Sequence, residues 1–262
     1  MFLEAILAHK RQEIEERKRL ISEEELRGRA RDMSSPRPFL DAIRGSRRKP
    51  ALVAEIKLSS PSRGNLCTRE KARTLPGLYC AGGAACLSVV TDAEFFHGSN
   101  DLLTEVRESV SLPVLRKDFV IDVYQMLESR VLGADAVLLI VACMEAECLR
   151  DLTQAAREVG LPALIEVHEA EEVEVALSCE PDMIGINNRD LSSFAVSVDT
   201  TLRLRRLVPD SVILVSESGF ETREQVLKAR EAGVHAILVG ERLVTAESPL
   251  RAIQELYGEE TG

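Results

Sequence analysis

From about residue 50 the chain repeats one pattern eight times: a short apolar run rich in leucine and β-branched residues, then an amphipathic segment of ten or more residues. Alternation of this kind marks βα units and a parallel sheet, whose strands are covered on both faces and therefore read as near-continuous apolar runs. The expected strands are 51–57, 85–90, 113–117, 136–141, 163–167, 183–187, 212–217 and 236–240. The segments between them, such as SNDLLTEVRESV, MEAECLRDLTQAAREVG and ETREQVLKAREAGV, carry helical periodicity, and several are closed by glycine or followed by proline. Eight units need roughly 200 residues, and a chain of 262 has room for them after residue 50. A closed (β/α)8 TIM barrel over residues 49–262 is the expected fold. Its competitor, an open doubly wound sheet, usually carries a glycine-rich phosphate turn after its first strand, and neither GxGxxG nor GxxxxGK[ST] occurs here. Residues 1–48 differ: EAILAHKRQEIEERKRL and SEEELRGRARD are charged and helix-prone, and they read as a helical extension packed on the barrel.

Charge and composition exclude several function classes. With 33 Lys and Arg against 43 Asp and Glu the net charge is −10, unsuited to a nucleic-acid interface, and 4% aromatics with no tryptophan make a poor base-stacking surface. The longest apolar run, Ala136 to Met144, is far shorter than a membrane span, and the N-terminus turns charged too early for a signal peptide, so a cytoplasmic protein is expected. Six cysteines without a CxxC pair and four scattered histidines give no metal-ligand spacing; they suit a reducing compartment, and no metal or cofactor is expected.

In a parallel barrel the chemistry sits at the C-terminal strand ends, where residues two apart share a face. Glu55 and Lys57 share such a face on the first strand, the third ends in Lys117-Asp118, the fifth carries Glu166, the sixth ends in Asn187-Asn188-Arg189-Asp190 and the seventh in Glu217-Ser218-Gly219. Each alone has a plain alternative: Glu55 and Lys57 read equally as an interior ion pair, and Lys117 or Glu166 as a solvated strand end. Together they place charge at one end of five strands, and buried ion pairs cost too much desolvation to recur without a purpose. Glycines after the last two strands, Gly219 and Gly240, are a weaker sign of a phosphate cradle, since glycine is common in any turn.

The motifs AEIKLSSPSRG, LPVLRKDFVIDVYQ, LIEVH, IGINNRDLSSFAVSVDTT and VSESGFETREQV, in this order over nearly the whole chain, resemble the indole-3-glycerol-phosphate synthase family of tryptophan biosynthesis, and ILAHKRQEIEERK resembles its extra N-terminal helical segment. The resemblance implies a carboxy-lyase that takes a small phosphorylated substrate, 1-(2-carboxyphenylamino)-1-deoxyribulose 5-phosphate, to indole-3-glycerol phosphate with loss of carbon dioxide and water, without cofactor or obligatory protein partner. It also implies roles. Lys117 is the general acid of ring closure, Glu166 assists closure and dehydration, Lys57 contacts substrate and shares the proton work of dehydration, and Glu55 orients the lysines. Asn187 and Glu217 hold the reacting hydroxyl and the anthranilate end. Ser60, Arg189, Ser218, Gly219 and Gly240 match the phosphate region, and Phe96, Phe119, Leu138 and Leu191 the pocket for the aromatic ring. Leu58 departs from the basic residue common in the family, and its parity turns it toward the helices. Two other readings remain. Phosphoribosylanthranilate isomerase, a neighbouring barrel, needs a Cys/Asp pair, and no cysteine ends the first strand; a catalytically silent barrel docking a partner through its N-terminal helices has no reason to retain Lys57, Lys117, Glu166 and Asn187. The convergence of Lys57, Lys117 and Arg189 is expected to give an acidic protein one local cationic site.

Overall fold

The computed structural model describes residues 2–190 and 195–258. Eight parallel strands close into a barrel in sequence order: β1 Ala51–Ile56, β2 Cys86–Val90, β3 Val114–Lys117, β4 Ala136–Ile140, β5 Ala163–Val167, β6 Met183–Asn187, β7 Ile213–Glu217 and β8 Ala236–Val239, with β8 pairing back to β1. Every strand lies within one residue of its expected span. The reason is the burial: each is covered on both faces, so its apolar run stops where the chain leaves the barrel wall.

Alternation along each strand divides the core in two. Ala51 and Val53, Leu115, Ala136 and Leu138, Leu164, Met183, Ile213 and Val215, and Ala236 and Leu238 fill the barrel, whereas Leu52, Ala54, Leu87, Val89, Val137, Leu139, Ile165, Ile184 and Leu214 face the surrounding helices. Continuing the inward parity to the C-terminal ends reaches Glu55, Lys117, Glu166, Asn187 and Glu217, so the topmost interior layer is polar where the lower ones are apolar.

The outer helices follow the strands. They are α4 Arg69–Ala81, α5 Asn100–Ser109, α6 Val123–Val131, α7 Ala146–Glu158, α8 Ala170–Leu177, α9 Asp199–Leu204, α10 Arg223–Glu231, α11 Glu241–Val244 and α12 Pro249–Tyr257. Local chemistry sets their starts: Thr68 and Ser99 cap α4 and α5 through their side chains, and capping boxes at Asp122/Gln125 and Thr222/Gln225 open α6 and α10.

The N-terminal segment forms three helices, α1 Phe2–Leu20, α2 Glu23–Asp32 and α3 Phe39–Arg44, and touches both ends of the barrel. At the C-terminal end, α1 lies beside the mouth, where Lys10 meets Asp92 at 3.0 Å and Asp118 at 2.9 Å. Along the flank, Leu26 of α2 packs with Ile14, Tyr124 and Leu127. At the opposite end, Phe39 and Ile43 of α3 join the cluster that contains Ala51 and Cys86. Among the described residues no helix is long and apolar enough to cross a membrane.

Candidate active site

Inward parity at the strand ends builds one cavity of about 490 Å³ at the C-terminal mouth. Glu55, Lys57, Ser60, Phe96, Lys117, Phe119, Leu138, Glu166, Asn187, Arg189, Glu217, Ser218, Gly219 and Gly240 all line it. Leu191, the remaining residue expected there, lies outside the described residues. A second cavity of about 470 Å³ lies around Arg47, Lys49, Ala84 and Arg223, away from the C-terminal strand ends, and contains none of the expected residues.

Lys117 is the electrostatic centre. Its Nζ lies 2.6 Å from Glu217 Oε2 and 3.2 Å from Glu166 Oε2, in a position where burial works against its charge but Glu217, Glu166 and Glu55 outweigh burial and raise its proton affinity. The two carboxylates then divide. Burial pushes Glu217 up to about 7 despite Lys117, with Glu166 adding repulsion. Glu166 is equally buried, yet Lys117, His168 and a hydrogen bond from Asn187 Nδ2 at 3.1 Å outweigh that burial and lower it below the ordinary carboxylate range. Two acids around one lysine thus have separated proton affinities, a common arrangement where acid and base must act side by side. Lys57 Nζ makes its own pair with Glu55 Oε1 at 2.7 Å, and the two lysines hold Glu55 ionised against its burial.

The other walls are more specialised. Phe96 and Phe119, with ring centroids 6.1 Å apart and planes tilted by 40°, stand with Leu138 and Ile140 on the apolar side, and Leu3 and Ile6 of α1 extend that side at the rim. After β7 the chain turns through two successive residues with positive φ, Ser218 at 68° and Gly219 at 85°. A serine held in that region costs about 1–3 kcal/mol and persists where the surroundings impose it. Gly240 has a different cause: its φ is −116°, but a Cβ there would meet Glu55 Oε1 at 2.2 Å, so the missing side chain makes room for the carboxylate. Leu58 is half-buried and packs against the helix-side core, as its parity required.

The expected cationic site is corrected in one respect. Lys57, Lys117 and Arg189 do converge, but each meets a carboxylate: Arg189 lies 3.7 Å from Glu241 Oε2, and Arg63, across the rim, lies 2.6 Å from Glu241 Oε1. An anion entering this mouth exchanges with carboxylates already there.

Sequence reasoning missed Arg63, Glu241, His168 and Lys10 in this region. Arg63 stands in the SPSRG turn and Glu241 directly follows Gly240, so both were adjacent to motifs already singled out. His168 shares the parity of Glu166, two residues on. Lys10 carried no such signal, because its partners come from distant segments.

A model of the indole-3-glycerol phosphate synthase family matches residues 3–256. The chain belongs to that family. Indole-3-glycerol phosphate synthases from Albidiferax ferrireducens and Polaromonas naphthalenivorans are 47% and 46% identical to it, covering 97% and 98% of both partners' lengths respectively. The indole-3-glycerol phosphate synthase of Acidithiobacillus ferrooxidans is 44% identical over 257 residues, covering 97% of this chain and 98% of that relative. Among solved structures, 3-hexulose-6-phosphate synthase from Salmonella typhimurium aligns with a TM-score of 0.65 at 12% identity, covering 79% of this chain and 97% of that one. A tryptophan synthase α-subunit from Pyrococcus furiosus aligns at 0.61 and 14%, covering 80% and 98%. At such identities these two likenesses speak for the barrel fold shared with the indole-3-glycerol phosphate synthase family and for nothing finer.

Proposed function

We propose that the mouth carries out the reaction for which the family is named, converting 1-(2-carboxyphenylamino)-1-deoxyribulose 5-phosphate to indole-3-glycerol phosphate with loss of carbon dioxide and water. The chain is a carboxy-lyase of tryptophan biosynthesis. The observation that carries the assignment of roles is Lys117 held between Glu166 and Glu217 in the polar top layer of the barrel.

Ring closure needs a proton for the sugar carbonyl oxygen as the aromatic carbon attacks it. Lys117 is the general acid: its two carboxylates keep it protonated until the substrate carbonyl replaces one of them, and burial keeps water from levelling the interaction. Loss of carbon dioxide then restores aromaticity. In the dehydration that follows, Lys57 delivers a proton to the departing hydroxyl, and Glu166, already ionised, takes the proton released from the ring system. Glu55 orients the lysines. Asn187 fixes Glu166 and the reacting hydroxyl, and Glu217, whose Oε1 meets no donor among the described residues, receives the anthranilate end. Phe96, Phe119 and Leu138 flank the aromatic ring, with Leu191 assigned to the same wall by motif alone. The phosphate is assigned to Ser60, Arg189 and the backbone at Ser218, Gly219 and Gly240, with Arg63 added from the rim. We place the enzyme in the cytoplasm, acting without a nucleic acid, membrane or obligatory protein partner.

The test is direct because the chain has no tryptophan. Purified protein incubated with the carboxyphenylamino substrate, without added metal or nucleotide, develops indole fluorescence free of tryptophan emission from the protein. Absence of that signal across about pH 6 to 9 would overturn the assignment.

A further inference from the structure

Glu166 has a neighbour that does not line the cavity. His168 follows β5, with its side chain only 11% exposed, and reaches Glu166 Oε1 with Nε2 at 3.4 Å and Glu172 Oε2 on the first turn of α8 with Nδ1 at 3.4 Å. Glu172 also accepts the backbone N–H of His168, which ties the chain leaving β5 to the first turn of α8. Glu166, His168 and Glu172 therefore form a row from the buried top layer of the barrel to a carboxylate that is 21% exposed. A neutral imidazole can offer a proton at only one nitrogen; a ring with a carboxylate opposite each nitrogen is matched by the imidazolium.

The geometry points to His168 as a positioning residue of the reaction: an imidazolium, anchored by Glu172, that holds Glu166 as a carboxylate and aims it into the mouth. This rests on the base role given to Glu166 above. Among the described residues the charges acting on the ring are those of Glu166 on β5, Glu172 on α8 and Glu217 on β7; Lys117, on β3, stands beyond two of them, in contact with Glu166 and Glu217, and Cys143, after β4, is kept a neutral thiol by burial near Glu166 and Glu172. Burial opposes the ring's charge, but Glu172 and Glu166 outweigh it and raise its proton affinity. The sign follows. The imidazolium persists to higher pH than that of an ordinary histidine and, while present, adds to Lys117 and Asn187 in keeping Glu166 ionised as pH falls; it is lost as pH rises, when Glu166 is ionised without it. His168 therefore extends activity toward acid and leaves the alkaline side unchanged.

The experiment replaces His168 by glutamine, which fills similar space without charge. The titration of Glu166 in the free enzyme is followed by carbon NMR of labelled glutamate carboxyls, with the resonance assigned through Glu166→Gln, and kcat and KM are measured across pH. In His168→Gln the Glu166 resonance titrates at higher pH than in the wild type. The kcat at about pH 6 falls roughly fivefold relative to its value at about pH 8, while KM changes less than about twofold. A folded His168→Gln protein with unaltered Glu166 titration overturns the inference. If that variant does not fold, Glu172→Gln gives the same readout: it keeps the acceptor for the His168 backbone N–H but removes the anchoring charge, so Glu166 titration moves the same way by less. No movement there overturns the inference equally. A moved titration without a change in the kcat profile would leave the coupling of His168 to Glu166 standing and refute the role given to Glu166 itself.

Discussion

A single lysine between two carboxylates dominates the electrostatics of this mouth. Because Lys117 is the only ammonium group in contact with Glu166 and Glu217 among the described residues, replacing it removes their counter-charge and, on the function proposed above, the proton donor. Lys117→Ala should lower kcat by about 10²–10⁴, the range for losing a positioned acid, with circular dichroism unchanged; near-normal turnover would take Lys117 out of the role. Glu217 gives a stability prediction of definite sign. Its carboxyl sits at about 7 in the fold against an ordinary 4.5, so between those values the folded chain holds a proton that the unfolded chain has released. Stability from this group is full below pH 4.5 and declines as pH rises through 7. Glu217→Gln abolishes that titration, so the Tm of the variant minus that of the wild type should become more positive from about pH 5 to pH 8. A difference constant with pH would mean that Glu217 is ionised throughout. These residues are legible in the sequence because the period of two along a strand sorts inward from outward, and charge on the inward parity needs an explanation. Their pairing was not legible: parity brings Lys117, Glu166 and Glu217 to one layer without saying which carboxylate keeps its proton, since that depends on the donors each receives.

At the level of elements, the strands were the most readable and the connections the least. The stretch from 241 to 256, ERLVTAESPLRAIQEL, carries helical marks throughout, but the helix stops after Val244 and a new one starts at Pro249, with Ser248 capping it through its side chain. Proline tolerated at a first turn but not within a helix is the physical cause. The N-terminal helices were legible as helices; that α1 would lie at the mouth and α3 at the opposite end was not, because both placements depend on contacts with residues far along the chain. Lys10 is the pin for α1. It is 1% exposed and meets Asp92, Asp118 and Glu13, and together with Arg116 it holds the buried Asp118 ionised. Lys10→Met should cost about 3–5 kcal/mol, because it leaves the buried Asp92 without its lysine and Asp118 with Arg116 alone. Since Leu3 and Ile6 extend the apolar wall, the loss should appear as faster amide exchange over α1 and a raised KM, with kcat at saturation less affected. Unchanged exchange across residues 2–20 would show that α1 is held by its apolar contacts alone.

Over the whole molecule, a net charge of −10 opposes the approach of a substrate that carries both phosphate and carboxylate. The mouth does not reverse this at a distance, because its lining holds more carboxylates than cations and its lysines and arginines are already paired. Attraction is therefore short-ranged, arising only when substrate oxygens displace Glu241 from Arg63 and Arg189 or a carboxylate from Lys117, whereas repulsion acts over the full surface. Salt separates the two. The Debye length falls from about 30 Å at 0.01 M to about 10 Å at 0.1 M, so added salt screens the distant repulsion well before it weakens contacts of about 3 Å inside a cavity. Raising potassium chloride over that range should therefore increase kcat/KM, by roughly twofold, contrary to the usual behaviour of an anion-binding enzyme with a basic surface. Potassium phosphate at matched ionic strength should lower it, because phosphate screens equally but also competes for Arg63, Arg189 and the Ser218-Gly219 backbone. An equal fall in both salts would mean that the cations of the mouth act on substrate from bulk solution, and that their pairing with carboxylates is broken before substrate arrives.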